Sequence, residues 1–418
     1  MVIGPCDRLR PNKGTRYLNP AEKLHRKRAL LSFSLFHFLD DGFSDCIYLL
    51  LPFITAELGL SFTMVGVLRG TSSISTGIFQ VPLSLLGERI GEVTVLAIGT
   101  FGMALGFLFL SRAYTFLTIL FSLLLGKLTG AGQHGLSSSV LSKIYEDSGR
   151  RAAMGTYNFS GDLGKVCVPF LLTLMINLWG WRNAVLALSI GGLLVSGLLY
   201  LFVSKGTTAT LASVVPPRST DSNHSKGRGW KMGINRRFFA LLTIGIIDIA
   251  ARYSLLTFLP FLLLRKGIAV TEFGYALTLL FAGGAAGKFV CGILAEWAGV
   301  LPMVMGTEIL TTAGILSLTI LPPLGIWVML PFLGIVLNGT SSVLYATVAE
   351  IIPPESRSRG YGIYYAVTLG SGALSPLAFG ILTDAAGLTF TLVITALMLL
   401  VTLPLCRFIS PKGAVSTK

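Results

Sequence analysis

Apolar stretches long enough to cross a bilayer recur along the whole chain, and that one feature removes most folds from consideration. A helix rises about 1.5 Å per residue and a bilayer core is about 30 Å thick, so about 20 apolar residues span it. Twelve such stretches are predicted, at 30–57, 63–86, 93–112, 115–142, 153–178, 183–203, 237–262, 271–295, 301–320, 324–350, 360–383 and 387–408. The short alternating segments of a membrane β-barrel are absent from the sequence. Of the 418 residues 53% are hydrophobic and only 12% charged, about half the charged share of a soluble domain. The expected class is an all-α membrane protein with twelve transmembrane helices.

The net charge of +14 would suit a nucleic-acid partner if it were gathered on one folded surface. Instead the basic residues concentrate in two segments that flank apolar spans, as cytoplasmic segments do under the positive-inside rule. One is residues 1–29, read as a basic cytoplasmic arm. The other is 204–236, which contains SVVPPRSTDSNHSKGRGWK and reads as a flexible cytoplasmic linker. They bracket six-helix segments at 30–203 and 237–408, followed by a cytoplasmic tail at 409–418. An even number of spans puts both termini on one face, expected to be the cytoplasmic face of an inner membrane. No cleavable signal peptide is evident.

The five cysteines are scattered and form no CxxC pair, so neither a disulfide framework nor a zinc site is indicated. No metal or cofactor is expected. The GGAAG run at 283–287 lies inside an apolar span, so it reads as a helix-packing surface and not as a phosphate cradle. Without a nucleotide motif or a nucleophile–base arrangement, the chain is expected to be neither an ATP-driven pump nor an enzyme.

The two six-helix segments repeat. Leu51, Pro52 and Phe53 return as Leu259, Pro260 and Phe261, and Gly66 returns as Gly274, at an offset of 208. Glu88 and Gly91 return as Glu296 and Gly299 at the same offset. Gly155, Tyr157 and Pro169 return as Gly362, Tyr364 and Pro376 at 207. Parallel repeats of six spans are a transporter architecture. The same register pairs Asp40 with Asp248 and sets Ser44 opposite Arg252.

The loop between the second and third spans reads SLLGERIGEV, and its second copy reads GILAEWAGVL. This doubled motif resembles the G-x-x-x-D-R-x-G-R-K loop of the major facilitator superfamily. Glu88, Arg89 and Gly91 fit it in the first copy, and Gly292, Glu296 and Gly299 in the second. Trp297 stands where the family has a base, and Glu92 and Val93 replace its basic pair. The resemblance covers about 30–408 and implies a central cavity lined by spans 1, 4, 7 and 10, with alternating access by rocking of the two repeats. The first span is similar to those of the fosmidomycin-resistance and drug-efflux groups. The stretch SGDLGKVCVP in span 5 lacks the Gly-Pro pair of many drug/proton antiporters.

Ionisable groups inside spanning helices cost at least a few kcal/mol each unless paired, wet or functional. Asp40, Asp41, Asp45, Asp162 and Asp248 face a matching set of Arg69, Lys127, Lys165, Arg252 and Lys288. Asp40 and Asp248 lie about 15 Å into spans 1 and 7 by helical rise, where a carboxylate that exchanges a proton would serve coupling. They are the leading proton-coupling candidates, with Asp41 beside them. A plain i,i+4 pair with Arg252 is the alternative for Asp248. Asp45 and Arg69, at similar depth on neighbouring spans, are expected to form a structural or gating ion pair. Asp162 and Lys165 are spaced for an i,i+3 pair. His37, Asp41 and Asp45 share one helix face, and the sequence offers Asp41 no partner. Lys127 and Lys288 also lack one, and Lys288 is expected to snorkel toward the cytoplasm. By the family resemblance, Gln133 and His134 on span 4 and Asn338, Ser341 and Tyr345 on span 10 are solute-contact candidates.

The function expected is secondary active transport of a small organic solute by a monomer in the lipid bilayer, coupled to protons, with export favoured. Uptake of an organic acid, its carboxylate held by Arg69, Arg252 or Lys165, is the first alternative. A non-transporting sensor on the same fold is the second.

Overall fold

A computed structural model describes residues 20–145, 149–214, 235–353 and 357–409. Its helices are α1 (Pro20–Leu58), α2 (Phe62–Ile90), α3 (Glu92–Leu110), α4 (Phe116–Gly130), α5 (Gln133–Ile144), α6 (Arg150–Val214) and α7 (Arg236–Arg265). After a 3₁₀ turn at Val270–Glu272 come α8 (Phe273–Ala298), α9 (Val300–Ile320), α10 (Pro323–Ile351), α11 (Arg357–Ala386), α12 (Leu388–Leu400) and α13 (Thr402–Cys406). The helices α4 and α5 form one span broken at Ala131 and Gly132, and α12 with α13 form another. The long α6 is two spans hinged at Gly180 (φ 75°, ψ 161°).

Nine stretches among the described residues are long and apolar enough to cross a membrane. One of them, 152–202, contains the Gly180 hinge and makes two crossings. The helices α1 and α2 fall outside that set because Asp40, Asp41 and Asp45 load α1, while Arg69 and a Ser/Thr run at 71–76 dilute α2. Counting them gives the twelve rods expected. Two boundaries differ from expectation. The first rod begins at Pro20, and α6 continues to Val214, inside the segment read as linker. Residues 1–19, 215–234 and 410–418 of the expected arm, linker and tail lie outside the described residues.

The repeat is visible in backbone geometry. Gly59, Gly91 and Gly180 have φ of 61°, 98° and 75°; Gly267, Gly299 and Gly387 have 81°, 89° and 89°. The two sets are related by the repeat offset, and each glycine turns the chain between successive rods in a region closed to most side chains. The loop-motif glycines Gly91 and Gly299 are one of these pairs. At the face opposite the chain ends, Arg182 donates to the carbonyls of Ser111 (3.1 Å) and Ala113 (2.7 Å). In the second repeat Lys266 donates to Thr319 (2.7 Å) and Leu321 (3.1 Å), the same two loop carbonyls 208 residues later.

Two seams join the first six rods to the last six. In one, α2 packs on α11; in the other, the first half of α6 packs on α8. Gly66 leaves room for the Pro376 carbonyl, and its repeat mate Gly274 sits against Thr173 and Pro169. The repeated Gly and Pro positions are therefore where the two repeats touch. Near the loops of the face opposite the chain ends, a single apolar core runs through both sets of rods, with Leu50, Leu172, Leu259, Leu277 and Leu330 fully buried in it. Toward the face carrying the chain ends the core splits in two. One cluster holds Phe33, Val140 and Tyr157, and the other holds Phe238, Leu344 and Tyr364. The rods thus close on one side and part on the other, an inward-tapering shape that opens toward the chain ends.

Candidate functional site

Close contact of α1 with α6 sets up the densest polar group. Gly42 admits Val168, Gly164 admits the Phe38 carbonyl, and Gly161 lies directly against His37 and Asp41. Small residues let membrane helices approach to this distance. The consequence is that one face of α1 delivers Asp41 into contact with three bases. His37 Nε2 lies 3.2 Å from Asp41 Oδ2, Lys165 Nζ lies 3.1 Å from the same oxygen, and His134 Nε2 lies 3.6 Å from Oδ1. The His37 ring stacks on Tyr157 at 4.1 Å between centroids, and its Nδ1 is 2.8 Å from the Tyr157 carbonyl. Asp41 is 7% exposed, whereas the His134 side chain is 51% exposed, so the cluster is buried at one end and wet at the other.

From Lys165 the chain of charges continues. Asp162 Oδ1 lies 3.7 Å from Lys165 Nζ, and both Asp162 oxygens accept from Lys288 Nζ, at 2.6 and 2.7 Å. Lys288 is on α8, so this pair crosses the seam between the two sets of rods. The expectation that Lys288 snorkels away without a partner is corrected: an acid within reach across the seam outweighs a longer path to the surface. Asp41, left without a partner by the sequence, has three. Lys127 donates to Ser44 on α1, beside a small cavity also lined by Ser72 and Ser122. Asp40 is 6% exposed and makes no ion pair within 4.0 Å among the described residues.

The expected Asp45–Arg69 ion pair is not formed. Arg69 Nη2 donates to the Tyr48 hydroxyl at 2.5 Å, and Nη1 donates to Ser73 at 2.7 Å. Its guanidinium lies between the rings of Tyr48 (4.6 Å) and Tyr253 (5.0 Å). A flat guanidinium is well suited to two aromatic faces, and Tyr48, about one turn past Asp45, captures it. Because Tyr253 is on α7, this contact also links the two sets of rods.

The second cluster is built on α7 and α10. Arg252 Nη1 donates to Asn338 Oδ1 (3.2 Å) and Ser341 Oγ (2.9 Å). Its Nη2 is 3.9 Å from Asp248 Oδ2, a loose i,i+4 approach, and that carboxylate oxygen accepts no hydrogen bond among the described residues. Tyr345 stacks on Tyr365 at 4.8 Å, edge-on to Tyr364. Among the described residues Gln133 bonds within its own helix, to Ser137 at 3.3 Å. Asp40 and Asp248 therefore belong to two separate clusters. In the loop motif, Arg89 and Glu296 are exposed, and the Glu88 side chain lies outside the described residues. Glu92, standing where the family has a base, pairs with Lys143 at 3.3 Å.

One acid escaped the sequence reading. Glu308, on α9, is 1% exposed, and neither carboxyl oxygen has a hydrogen-bond partner among the described residues. A lone acid in the middle of span 9 was the available signal. The ligating atoms of His37, Asp41 and His134 lie within 4.8 Å of one another. A divalent ion there would meet the Lys165 ammonium on the same carboxylate, so the chain's own base balances the acid and no metal is assigned.

An inward-tapering bundle of twelve rods with polar groups where the repeats meet defines a membrane transporter. The sequence model of the Major Facilitator Superfamily matches residues 33–330 and 241–418, and the chain belongs to that family. It is 25% identical to the MFS-type transporter YfnC of Bacillus subtilis (strain 168), covering 88% of this chain and 90% of the relative. It is 25% identical to the gentisate transporter of Corynebacterium glutamicum, over 85% and 81% of the two chains. It is 23% identical to the "Probable galactarate/D-glucarate transporter GudP" of Bacillus subtilis (strain 168), over 88% and 89%. A solved bacterial homologue of the human lysosomal transporter Spinster, inward-facing and occupied, superposes with a TM-score of 0.76 at 18% identity, over 92% and 97%. The chain is a multi-pass integral membrane protein, a small-solute transporter and not an enzyme.

Proposed function

We propose that this protein is a proton-coupled transporter of small organic carboxylates. Its termini lie in the cytoplasm beneath an inner membrane, and residues 30–203 rock against 237–408 about the two seams. The observation that carries the carboxylate reading is a pair of arginines, Arg69 on the Tyr253 ring and Arg252 next to Tyr253 in the chain. Arg69 approaches from α2 and Arg252 from α7, and each keeps a buried Nε–H without a partner among the described residues. Guanidinium groups with free donors suit a carboxylate, which accepts in parallel. The relatives named for gentisate and for galactarate and glucarate support the same chemistry. This brings the organic-acid alternative ahead of a drug-like solute.

Asp40, Asp41 and Asp248 are the coupling candidates, and Asn338, Ser341, Tyr345, Gln133 and His134 the solute contacts. The experiment is uptake of gentisate and of glucarate into proteoliposomes under an imposed pH gradient. Solute-dependent proton movement is expected, and Arg252→Gln should weaken the solute by about tenfold or more, the loss of one strong charged contact. Reversing the gradient tests export, the direction favoured by the sequence. If neither acid moves, or if Arg252→Gln transports like the parent, the carboxylate reading fails. A chain that moves no solute in any gradient would belong to the sensor class.

A further inference from the structure

We infer that His37 and Asp41 together hold one proton, and that this pair is the proton-binding site of the transporter. The argument is one of donors and acceptors. A carbonyl oxygen can only accept, so the 2.8 Å approach of His37 Nδ1 to the Tyr157 carbonyl puts a hydrogen on Nδ1. In a neutral imidazole the other nitrogen, Nε2, then carries a lone pair. That nitrogen faces Asp41 Oδ2 at 3.2 Å. Two acceptors at this distance repel unless a proton lies between them. The geometry therefore requires either an imidazolium beside a carboxylate or a neutral pair sharing one hydrogen.

The surroundings make the proton exchangeable and give its loss an effect. On α1 the pair is faced by Asp40 and Asp45. Lys127 of α4 and His134 of α5 face it from one side, and Lys165 and Tyr157 of α6 from the other. Asp162 and, across the seam, Lys288 of α8 stand behind Lys165. His134, half-exposed and 5.0 Å from the His37 ring, gives the pair a route to water. When the proton leaves, the Nε2 lone pair repels Oδ2, and Oδ2 is left to Lys165, with His134 only at Oδ1. Lys165 then turns from Asp162, to which its 3.7 Å contact is already long, and Asp162 is left to Lys288. Protonation at α1 is thereby felt at the α6–α8 seam.

This inference rests on the proton-coupled reading above, and two measurements keep their failures apart. The first is ¹⁵N NMR of the full chain, histidine-labelled, in lipid nanodiscs. With four histidines in the sequence, His37→Gln identifies the His37 signals. The expected result is an imidazolium at His37 near about pH 6 that loses its Nε2 proton as pH rises, and loss of that imidazolium signal in Asp41→Asn. His37 nitrogen signals that stay unchanged across this range, showing neither an imidazolium nor an Nε2 that gains and loses a shared hydrogen, or a titration that Asp41→Asn leaves in place, overturn the site. The second is proton movement in proteoliposomes. If the parent couples solute to protons and His37→Gln couples as well as the parent, His37 is not the carrier and the inference is overturned. If His37 titrates as stated while the parent moves solute without protons, the proton site stands and the coupling reading falls.

Discussion

The two seams occupy equivalent places in the repeat, yet they are fastened at different depths. In the α2–α11 seam the hold is at the rim. Asp384, near the end of α11, accepts from the backbone N–H of Phe62 (2.9 Å) and Thr63 (2.8 Å) and from the Thr63 hydroxyl (2.6 Å). A carboxylate on the first amides of a helix meets its unpaired donors and its positive end together. Deeper, that seam is backbone on glycine, at Gly66 and Gly70. In the α6–α8 seam the rim contact is a single amide, Asn177 to the Thr271 carbonyl at 3.4 Å, at positions equivalent to Asp384 and Thr63. Its strong contact is the deep Asp162–Lys288 pair, and Leu369 and Gln80 occupy the matching places of the other seam. The seam with the rim carboxylate is fastened at the mouth. The seam with the deep ion pair reaches the charge network, and under the inference above it is the one that loss of the His37–Asp41 proton would address.

Five single substitutions, one of them with a compensating partner, break this comparison in order of effect. Lys288→Ala removes the deep pair and should lower transport by more than about tenfold, because the partly buried Asp162 keeps only the 3.7 Å contact with Lys165. Asp162→Asn added to it should recover part of the loss, and an unimpaired single variant in a vesicle uptake assay would contradict the assignment. Gly66→Ala puts a methyl group against the Pro376 backbone, which cannot turn away, at a cost of about 1–3 kcal/mol. At Gly274 the nearest atom, Thr173 Oγ1, can rotate away, which leaves Thr173 Cβ at 2.7 Å and the Pro169 carbonyl at 3.1 Å in place of three backbone atoms, so Gly274→Ala should lower the melting temperature somewhat less. An equal or reversed order in thermal unfolding of the purified protein would show that the seams are packed alike. Asp384→Ala removes a helix-capping carboxylate worth about 1 kcal/mol and should shift the population toward opening at the rim. Spin-label distances between the ends of α2 and α11 would register this, and unchanged distributions would dismiss the rim hold. Asn177→Ala should change the same observable at the α6–α8 rim by less than about 0.5 kcal/mol, as for one exposed neutral contact.

The periodicity of apolar runs and the offset of 208 made the rods, the repeat and the loop glycines legible, because each depends on residues near in sequence or on copies of them. The pairings were less legible. Helical rise gives the depth of Asp45 and Arg69 but not which way each side chain points, and the Tyr48 hydroxyl won the guanidinium. Of the bases on Asp41, His37 was on the same helix face by its i,i+4 spacing, but His134 and Lys165 come from α5 and α6, brought close by Gly161, and no local spacing encodes that contact. Pairing Asp40 with Asp248 in the repeat suggested shared chemistry. The structure instead exchanges the parts: on α1 a hydroxyl, Ser44, meets a base from α4, while on α7 the base Arg252 meets a hydroxyl and an amide from α10. Equivalent helices kept a polar contact and swapped the ends of it.

The loop carbonyls at Ser111 and Ala113, and at Thr319 and Leu321, carry this further. Arg182 reaches the first pair from the second half of α6, and Lys266 reaches the second from the end of α7. These bases do not align with each other, and none of the four loop residues matches its copy. What the two repeats share at this corner is a place where two peptide oxygens take a cation, and each copy draws that cation from a different part of the chain.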